Sequence, residues 1–378
     1  MDNKRRQVLK AGLLGTGANA FGNPLQLSTA KNHASFNGKS LRILILGGTG
    51  FLGPHMVKEA LKRGHVVTLF NRGRTNSGLF PDLETLIGDR NNGLDALHGH
   101  NWDVVIDNSG YVPRHVRDSA RLLAPVTSHY IYTSTVSAYA SLAQPINEDA
   151  PLAKIADESI EKVTPETYGP LKALCEQKAA EEFGEDRLSI LRPTYVAGPG
   201  DHTDRYTYWL ARTLLGGEMV WPGTPEDMIQ IIDVRDLAKF TIDVADKNII
   251  GTYNTVTPAG TFTMGDLLND SLAVTGADMV PVWIDYEFIQ AQGNIDEGAF
   301  PIWIPPISEY AGAALVSGER SVAKGLWNRP TRETARDTVA WWRTLPSERT
   351  ENMRAGLSLQ LETGLLKQKT NPGKESKS

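Results

Sequence analysis

The sequence has almost no cysteine and no long apolar segment. Cys175 is the only cysteine in 378 residues, so an internal disulfide and a cysteine-based metal site are both excluded. No apolar run reaches the roughly 20 residues that a membrane-spanning helix needs. The net charge of −5 does not suggest a general polyanion-binding surface, and we expect no nucleic acid partner and no metal. The composition is that of a globular chain with one large domain or two unequal ones.

The first forty residues differ from the rest of the chain. Arg5 and Arg6 precede a mildly apolar, Gly- and Ala-rich stretch that ends in the small residues 18–20. This pattern resembles a bacterial twin-arginine export signal, with Lys4 and Val8 as departures from it. We therefore predict a signal and linker over residues 1–40 and a periplasmic or otherwise exported protein. The alternative is a basic N-terminus on a cytoplasmic enzyme.

A glycine-rich turn follows. Residues 41–53 read Leu-Arg-Ile-Leu-Ile-Leu-Gly-Gly-Thr-Gly-Phe-Leu-Gly, and an amphipathic segment comes next. The pattern predicts a buried strand, a tight turn and a helix, in which a phosphate meets no Cβ and faces a helix N-terminus. The alternative is an ordinary turn that enters a helix. The predicted cofactor-binding residues of this turn are Gly47, Thr49, Gly50, Phe51, Leu52 and Gly53.

Strand and helix signals alternate through the next 140 residues. Further β-type runs lie at 66–70, 86–90, 103–107, 129–133 and 189–193. This alternation predicts an α/β fold with a doubly wound parallel sheet, the Rossmann arrangement, over residues 41–195. Residues 196–365 are predicted to form mainly a smaller C-terminal α+β substrate lobe, with some segments returning to the sheet. Residues 366–378 are polar and are predicted to be a disordered tail.

The residues after the second strand bear on the choice of dinucleotide. NAD-specific folds usually carry an acid there, which bonds the ribose 2′-hydroxyl. This chain has Asn71 and Arg72 instead, with Arg74 close by. An arginine matches a 2′-phosphate by charge and by its fork of donors. We therefore predict NADP in preference to NAD, the alternative being that these are solvated arginines in a turn.

Tyr168 and Lys172 lie four residues apart, so they would share one face of a helix. We expect Pro170 in the first turn of that helix, where its missing N–H costs little. An unperturbed tyrosine has a pKa of about 10, which is too high for efficient proton transfer at neutral pH. A neighbouring ammonium and an oxidised nicotinamide should lower the pKa of Tyr168. Alone, such a pair is most often a surface feature. Here it follows both the glycine turn and a strand that ends in hydroxyl residues at 133–135.

With these elements in this order, the chain resembles the extended short-chain dehydrogenase/reductase family of epimerases and dehydratases over residues 41–254. The three spaced glycines match its Gly-x-x-Gly-x-x-Gly, and Tyr168 with Lys172 matches its Tyr-x-x-x-Lys. Thr135 lies four residues before the pair 139–140, Tyr-Ala, and matches the catalytic hydroxyl. The resemblance implies that Tyr168 is the acid/base, that Lys172 tunes it and bonds the nicotinamide ribose, and that Thr135 orients the substrate oxygen.

The resemblance also assigns other residues and shows departures. It implies that Asp89 bonds the adenine amino group and that the segment from Pro193 to Val196, which contains Tyr195, fixes the nicotinamide carboxamide through its backbone. Val136 and Ser137 stand where dehydratases place an Asp-Glu pair, so simple dehydration is not expected. Tyr195 also replaces the asparagine that anchors the diphosphate in nucleotide-sugar epimerases.

The predicted substrate loop follows Tyr195. His202 and Arg205 could bind a carboxylate or a hydroxyl-rich substrate, whereas an Asp204–Arg205 salt bridge is the alternative. The predicted activity is an NAD(P)-dependent oxidoreductase or epimerase that moves a hydride at a secondary alcohol or ketone of a small, sugar-like substrate. The alternative is a non-catalytic protein of the same fold that binds RNA, because some plant relatives share Asn-Arg-Gly after the second strand. A homodimer is left open.

Overall fold

The computed structural model describes residues 38–293, 295 and 299–370. These residues belong to one compact unit, Phe36–Ser378. The twin-arginine pattern lies outside the described residues, so export stays a prediction. In the part that is described, no helix combines the length and the apolar character needed to cross a membrane.

The fold alternates strands and helices. The strands are β1 Arg42–Leu46, β2 Val66–Asn71, β3 Glu84–Ile87, β4 Trp102–Asp107, β5 Thr127–Thr133, β6 Leu188–Pro193, β7 Tyr195–Ala197, β8 Gly217–Pro222, β9 Ile231–Asp233, β10 Gly251–Thr255 and β11 Met279–Ile284. The helices are α1 Leu52–Lys62, α2 Pro113–Leu123, α3 Pro165–Phe183, α4 Thr207–Leu214, α5 Val234–Lys247, α6 Met264–Thr275, α7 Tyr286–Ala291, α8 Glu319–Ala323, α9 Thr331–Trp342, α10 Ser347–Thr350 and α11 Leu359–Thr370.

Seven parallel strands form the main sheet, in the order β10-β6-β5-β4-β1-β2-β3. Helices α1 and α5 cover one face and α2 and α3 cover the other, which explains why the central strands are apolar on both sides. The predicted doubly wound α/β fold is confirmed. The strand order reverses between β1 and β4, and ligands of such sheets bind in the crevice at the carboxyl ends of these strands.

Two boundaries differ from the sequence prediction. β3 ends at Ile87, three residues early, because the chain turns through Asp89 and pairs it with Gly93. Helix α3 begins at Pro165, so Pro170 lies inside the helix rather than in its first turn. A reciprocal cap starts the helix, in which the Thr164 and Thr167 hydroxyls each bond to the other residue's backbone N–H. This cap depends on local sequence alone and marks the true start of α3.

The chain after residue 195 contributes to two layers. α5 and β10 return to the main sheet, where β10 pairs with β6 and α5 packs on α1, whereas β9 pairs with β7 as a separate parallel pair. Elements such as α4, α6, α9 and α11 surround a second apolar core rich in tryptophan, with β8 and β11 as another separate parallel pair. The predicted disordered tail is wrong at its beginning, because α11 continues to Thr370 and Leu366 packs against this core. Residues 371–378 lie outside the described residues.

Candidate active site

The glycine turn between β1 and α1 is shaped by close approach of the backbone. A Cβ on Gly53 would lie 2.5 Å from the carbonyl oxygen of Gly47, so only glycine lets α1 begin this near the turn. Gly47 itself has a φ of +86° and faces Ser109 at the end of β4. A Cβ on Gly50, by contrast, would meet nothing within 4 Å. The turn is therefore closed on the protein side and open at Gly50.

The N-terminus of α1 fits a phosphate group. Phe51 is its N-cap and provides no side-chain hydrogen bond, and the first turn carries no acidic residue. The first backbone N–H groups of a helix lack intrahelical partners and attract an anion. Thr49 is buried in the turn, and its carbonyl oxygen accepts a hydrogen bond from the Asn76 side chain at 3.0 Å. The residues present fit a dinucleotide pyrophosphate.

The residues predicted to meet the adenosine lie at the ends of β2 and β3. The Asn71 side chain accepts the Gly73 N–H at 2.8 Å, so it shapes the turn that displays Arg72. The side chains of Arg72 and Arg74 are exposed, and no ion pair joins them to an acid within the described ranges. The Asp89 carboxylate accepts the Asn91 N–H at 2.9 Å and thus has a local role in its own turn.

Three successive residues at the end of β5 meet one face of α3. The Lys172 ammonium donates to the Thr133 carbonyl oxygen at 2.7 Å, and the Ser134 hydroxyl donates to the Glu176 carboxylate. The Thr135 hydroxyl donates to the Ser137 hydroxyl at 3.3 Å and lies close enough to Tyr168 to lower the pKa of that phenol. The three α3 residues are spaced by four, which aligns them along the helix. Thr135, Tyr168 and Lys172, predicted from sequence, are therefore brought together.

The electrostatics of Tyr168 differ from the sequence expectation. Burial raises the pKa of Tyr168, and the nearby Thr135 hydroxyl and the charge of Arg205 only partly oppose this. The expectation of a lowered pKa is thus not met by the protein alone. Burial also lowers the pKa of Lys172 to about 8. Its ammonium donates to the carbonyl oxygens of Gly110 and Thr133, a placement that the four-residue spacing could not reveal.

The loop at 198–205 places Arg205 near these groups. The exposed Arg205 guanidinium lies 5.0 Å from the centre of the Tyr195 ring. The predicted alternative, an Asp204–Arg205 salt bridge, is wrong, because the fully buried Asp204 carboxylate is held by Arg349. His202 is exposed, and its ring meets Phe51 edge-on at 6.0 Å, beside the glycine turn.

Two buried polar clusters below the site were missed from sequence. At the end of β4, Asp107 accepts hydrogen bonds from Arg90 and from the Tyr130 hydroxyl, both at 2.6 Å. Burial alone would raise the pKa of Asp107, but the Arg90 guanidinium outweighs it and the pKa lies below its usual value. In the second cluster Glu176 pairs with Arg192 at 2.6 Å. Two sequence features could have indicated these clusters. Asp107 is an acid that ends an apolar strand, and Glu176 lies four residues after Lys172 on α3.

Metal binding has no visible site here. Within the part of the chain that the structure describes, no three His, Cys, Asp or Glu side chains come together as a ligand set. The candidate site instead combines a glycine turn at the switch point with hydroxyl, phenol and ammonium groups at the end of β5, two strands away.

These features define a class, the Rossmann-fold proteins that bind a dinucleotide beside a Thr–Tyr–Lys set. The sequence model of the NAD dependent epimerase/dehydratase family matches residues 43–255, which is more than half of the chain. The chain belongs to this family of NAD-dependent enzymes.

Individual relatives are distant. The chain is 27% identical over 221 residues to the chloroplast stem-loop binding protein of 41 kDa b from Arabidopsis thaliana, a match that covers 54% of each protein. It therefore spans about half the length of that relative. It is 24% identical over 311 residues to 2-alkyl-3-oxoalkanoate reductase from Stenotrophomonas maltophilia, covering 73% of this chain and 89% of the reductase.

The fold of the chain is also similar to a solved structure. The Bordetella bronchiseptica enzyme WbmG, in complex with NAD and UDP, superposes with a TM-score of 0.59 at 17% identity. The superposition covers 81% of this chain and 95% of that enzyme. At this identity the likeness concerns the fold.

Proposed function

We propose that this protein is an NAD(P)-dependent oxidoreductase or epimerase in which Tyr168 exchanges a proton with a secondary alcohol or ketone. The observation that carries the proposal is the meeting of Thr135, Tyr168 and Lys172 at the end of β5, two strands from the glycine turn. Membership of an NAD-dependent family supports the same chemistry. A bound nicotinamide would supply the hydride exchange, for which Gly47, Gly50 and the N-terminus of α1 hold the dinucleotide.

Each side chain of the set has a distinct role in this proposal. Tyr168 gives a proton to the substrate oxygen or takes one from it, and Thr135 hydrogen-bonds to the same oxygen. Lys172 uses two of its three ammonium donors on the carbonyl oxygens of Gly110 and Thr133. The third donor is available to the nicotinamide ribose. Lys172 thereby links the ends of β4 and β5 to the cofactor.

The substrate is proposed to be small and rich in oxygen. Arg205 supplies an exposed cation over the Tyr195 ring, and its charge also lowers the pKa of Tyr168. Such a cation suits a carboxylate, a phosphate or a set of hydroxyls. One relative is named for reduction of a 3-oxoalkanoate and a structural neighbour holds UDP, so both substrate classes are worth testing. Val136 and Ser137 provide no acid/base pair for dehydration.

The central experiment replaces the proposed acid/base. Tyr168→Phe should lower turnover by about 10²- to 10⁴-fold, because only the ionisable oxygen is lost. Dinucleotide affinity should stay close to wild type. Turnover is followed by absorbance of the reduced nicotinamide with 3-oxo acids, secondary alcohols and nucleotide sugars, and epimers are detected by chromatography. Tyr286→Phe, in the second apolar core, is the matched control. Full activity in Tyr168→Phe would show that another group moves the proton.

The preference for NADP rests on Arg72. Its exposed side chain follows β2, where a 2′-phosphate would lie in this fold. Arg72→Ala should weaken NADP by about tenfold or more and leave NAD nearly unchanged, since a charged hydrogen bond contributes about 1.5–3 kcal/mol. Calorimetric titration of both dinucleotides measures this, with Arg121→Ala as a control on a distant surface. Equal losses for the two cofactors would contradict the preference.

Export by the twin-arginine route is part of the proposal. The motif around Arg5 and Arg6 supports it, and an exported enzyme would gain from a tightly held cofactor that is recycled internally, as in epimerisation. Changing both arginines to lysine should keep the protein in the cytoplasm on cell fractionation. Unchanged localisation would favour the cytoplasmic alternative.

RNA binding is the second candidate, because one relative is named a stem-loop binding protein. The net charge of −5 argues for the enzyme instead, since phosphate-backbone binding depends on a positive surface. Filter binding of a stem-loop RNA at increasing salt, beside native mass spectrometry of the purified protein, separates the two. RNA retained at moderate salt without a dinucleotide would reverse the ranking.

A further inference from the structure

The loop at residues 198–205 has an unusual backbone for a segment that carries a site residue. Gly198 and Gly200 have φ values of +124° and +92°, and Asp204 has a φ of +62°. A left-handed conformation at a residue with a side chain persists only where its surroundings enforce it. The surroundings of Asp204 therefore explain why the loop takes this path.

Asp204 is held by residues that follow it by about 150 positions. Its fully buried carboxylate accepts hydrogen bonds from the Arg349 guanidinium and from the Arg354 N–H, the latter at 2.8 Å. The Arg354 guanidinium also donates to the His202 carbonyl oxygen at 2.9 Å. Arg349 is itself packed over the Trp342 ring at 5.2 Å. We call Asp204, Arg349 and Arg354 the clasp.

The clasp lies next to the start of α4 and to Arg205. The Asp204 carbonyl oxygen accepts the Tyr208 N–H at 2.7 Å, so the same residue is tied to the first turn of α4. On its other side, the Thr203 hydroxyl accepts from the Arg205 Nε at 3.2 Å, and Asp201 accepts from the Thr203 hydroxyl at 2.6 Å. The direction of Arg205 is thus set by backbone that the clasp holds and by a short chain of hydroxyl and carboxylate contacts.

We propose that Arg349 and Arg354 are positioning residues of the active site, because the clasp holds Arg205 over the Tyr195 ring, where it meets the anionic or oxygen-rich end of the substrate. The inference rests on the proposed function in one respect, that Tyr168 is the acid/base. The clasp arginines lie beyond residues 43–255, the part that the family model matches. The residues that orient Arg205 therefore come from the segment that follows the matched range.

The position of Arg205 has a measurable consequence at Tyr168. Thr135 and Arg205 both lower the pKa of that phenol against burial, while Tyr111 packs near its ring and Lys172 lies one turn along α3. If the clasp sets the place of Arg205, loosening the clasp reduces the stabilisation of the phenolate. The Tyr168 titration then moves to higher pH. Arg349 pairs with Asp204, so its effect on Tyr168 passes through Arg205.

The test is a spectrophotometric titration of the phenolate in the full-length protein with NAD⁺ bound. The absorbance change of Tyr168 is obtained by subtraction. Each protein is compared with the same protein that also carries Tyr168→Phe. Arg205→Met and Arg349→Met should both shift the titration midpoint to higher pH, and Arg349→Lys should restore it. Arg336→Met is the matched control, because Arg336 is an exposed arginine paired with Asp337 on α9. Circular dichroism follows folding across the pH range.

A second variant guards against loss of folding in Arg349→Met. Asp204→Asn keeps an acceptor for the Arg354 N–H and tolerates the left-handed backbone, but it loses the ion pair. It should shift the midpoint in the same direction. A midpoint that stays at the wild-type value in Arg349→Met and Asp204→Asn would overturn the inference. Failure of the proposed function is a separate result, since it appears as turnover retained in Tyr168→Phe.

Discussion

The two sides of the candidate site are built by different means. On the cofactor side, the turn at 47–53 is made by backbone atoms of near neighbours, and a Cβ at Gly53 would meet the Gly47 carbonyl oxygen. On the substrate side, side chains far apart in sequence hold the site through ion pairs, as Arg349 holds Asp204. Sterics therefore govern the first side and charge governs the second.

This difference teaches where each side is sensitive. A backbone turn fails when a side chain is added, and salt or pH changes it little. A buried ion pair fails when one partner is removed, because the remaining charge is left in a low dielectric. Substitutions on the two sides should therefore differ in size and in their dependence on pH.

The largest effect on stability is expected from the buried ion pair between Glu176 and Arg192, next to the end of β5. Glu176→Ala leaves Arg192 buried and unpaired and also removes the partner of Ser134. The free energy of unfolding should fall by about 3–5 kcal/mol. Glu182→Ala, which breaks the exposed pair with Arg121, should cost about 1 kcal/mol or less. Urea denaturation measures both, and equal losses would remove the contrast.

The glycine turn should respond to an added methyl group according to the space around it. Gly53→Ala should lower the free energy of unfolding by about 1–3 kcal/mol, because its Cβ overlaps backbone. Gly50→Ala should leave stability unchanged and weaken NAD⁺, since its Cβ enters the open side of the turn. Gly78→Ala, also in open space, should change neither quantity. Thermal denaturation and calorimetry test this set, and tight NAD⁺ binding by Gly50→Ala would refute the placement of the pyrophosphate.

The smallest expected effect is a pH dependence at Lys172, where the two sides meet. Burial lowers the pKa of Lys172 from about 10.5 to about 8, so the unfolded chain binds more protons between these pH values. The Lys172 contribution to stability therefore rises with pH from 8 towards 10.5. Between pH 8 and pH 9 the difference between wild type and Lys172→Met should grow by at most about 1.4 kcal/mol. A flat or falling difference would contradict this assignment.

Sequence reasoning recovered the fold and one half of the site because both depend on local patterns. Apolar runs between turns predicted the parallel sheet, and the spacing of Tyr168 and Lys172 predicted their shared helix face. It placed the start of α3 too late, because a proline is expected in the first turn of a helix and Pro170 lies inside this one. The cap at Thr164 marks the true start. The alternative that sequence reasoning offered for Arg205, a salt bridge with Asp204, was wrong, since nearest charges are the only pairs that a single sequence suggests.

The sequence by itself determined the glycine turn, the strand–helix alternation and the order of Thr135, Tyr168 and Lys172. These features need only backbone geometry and spacing along the chain. The tertiary structure alone decided which cation acts on Tyr168, how far burial shifts its pKa, and which arginine holds Asp204. Those properties depend on distance and dielectric in three dimensions, because Coulomb energies follow the separation of charges in space and not their separation in sequence.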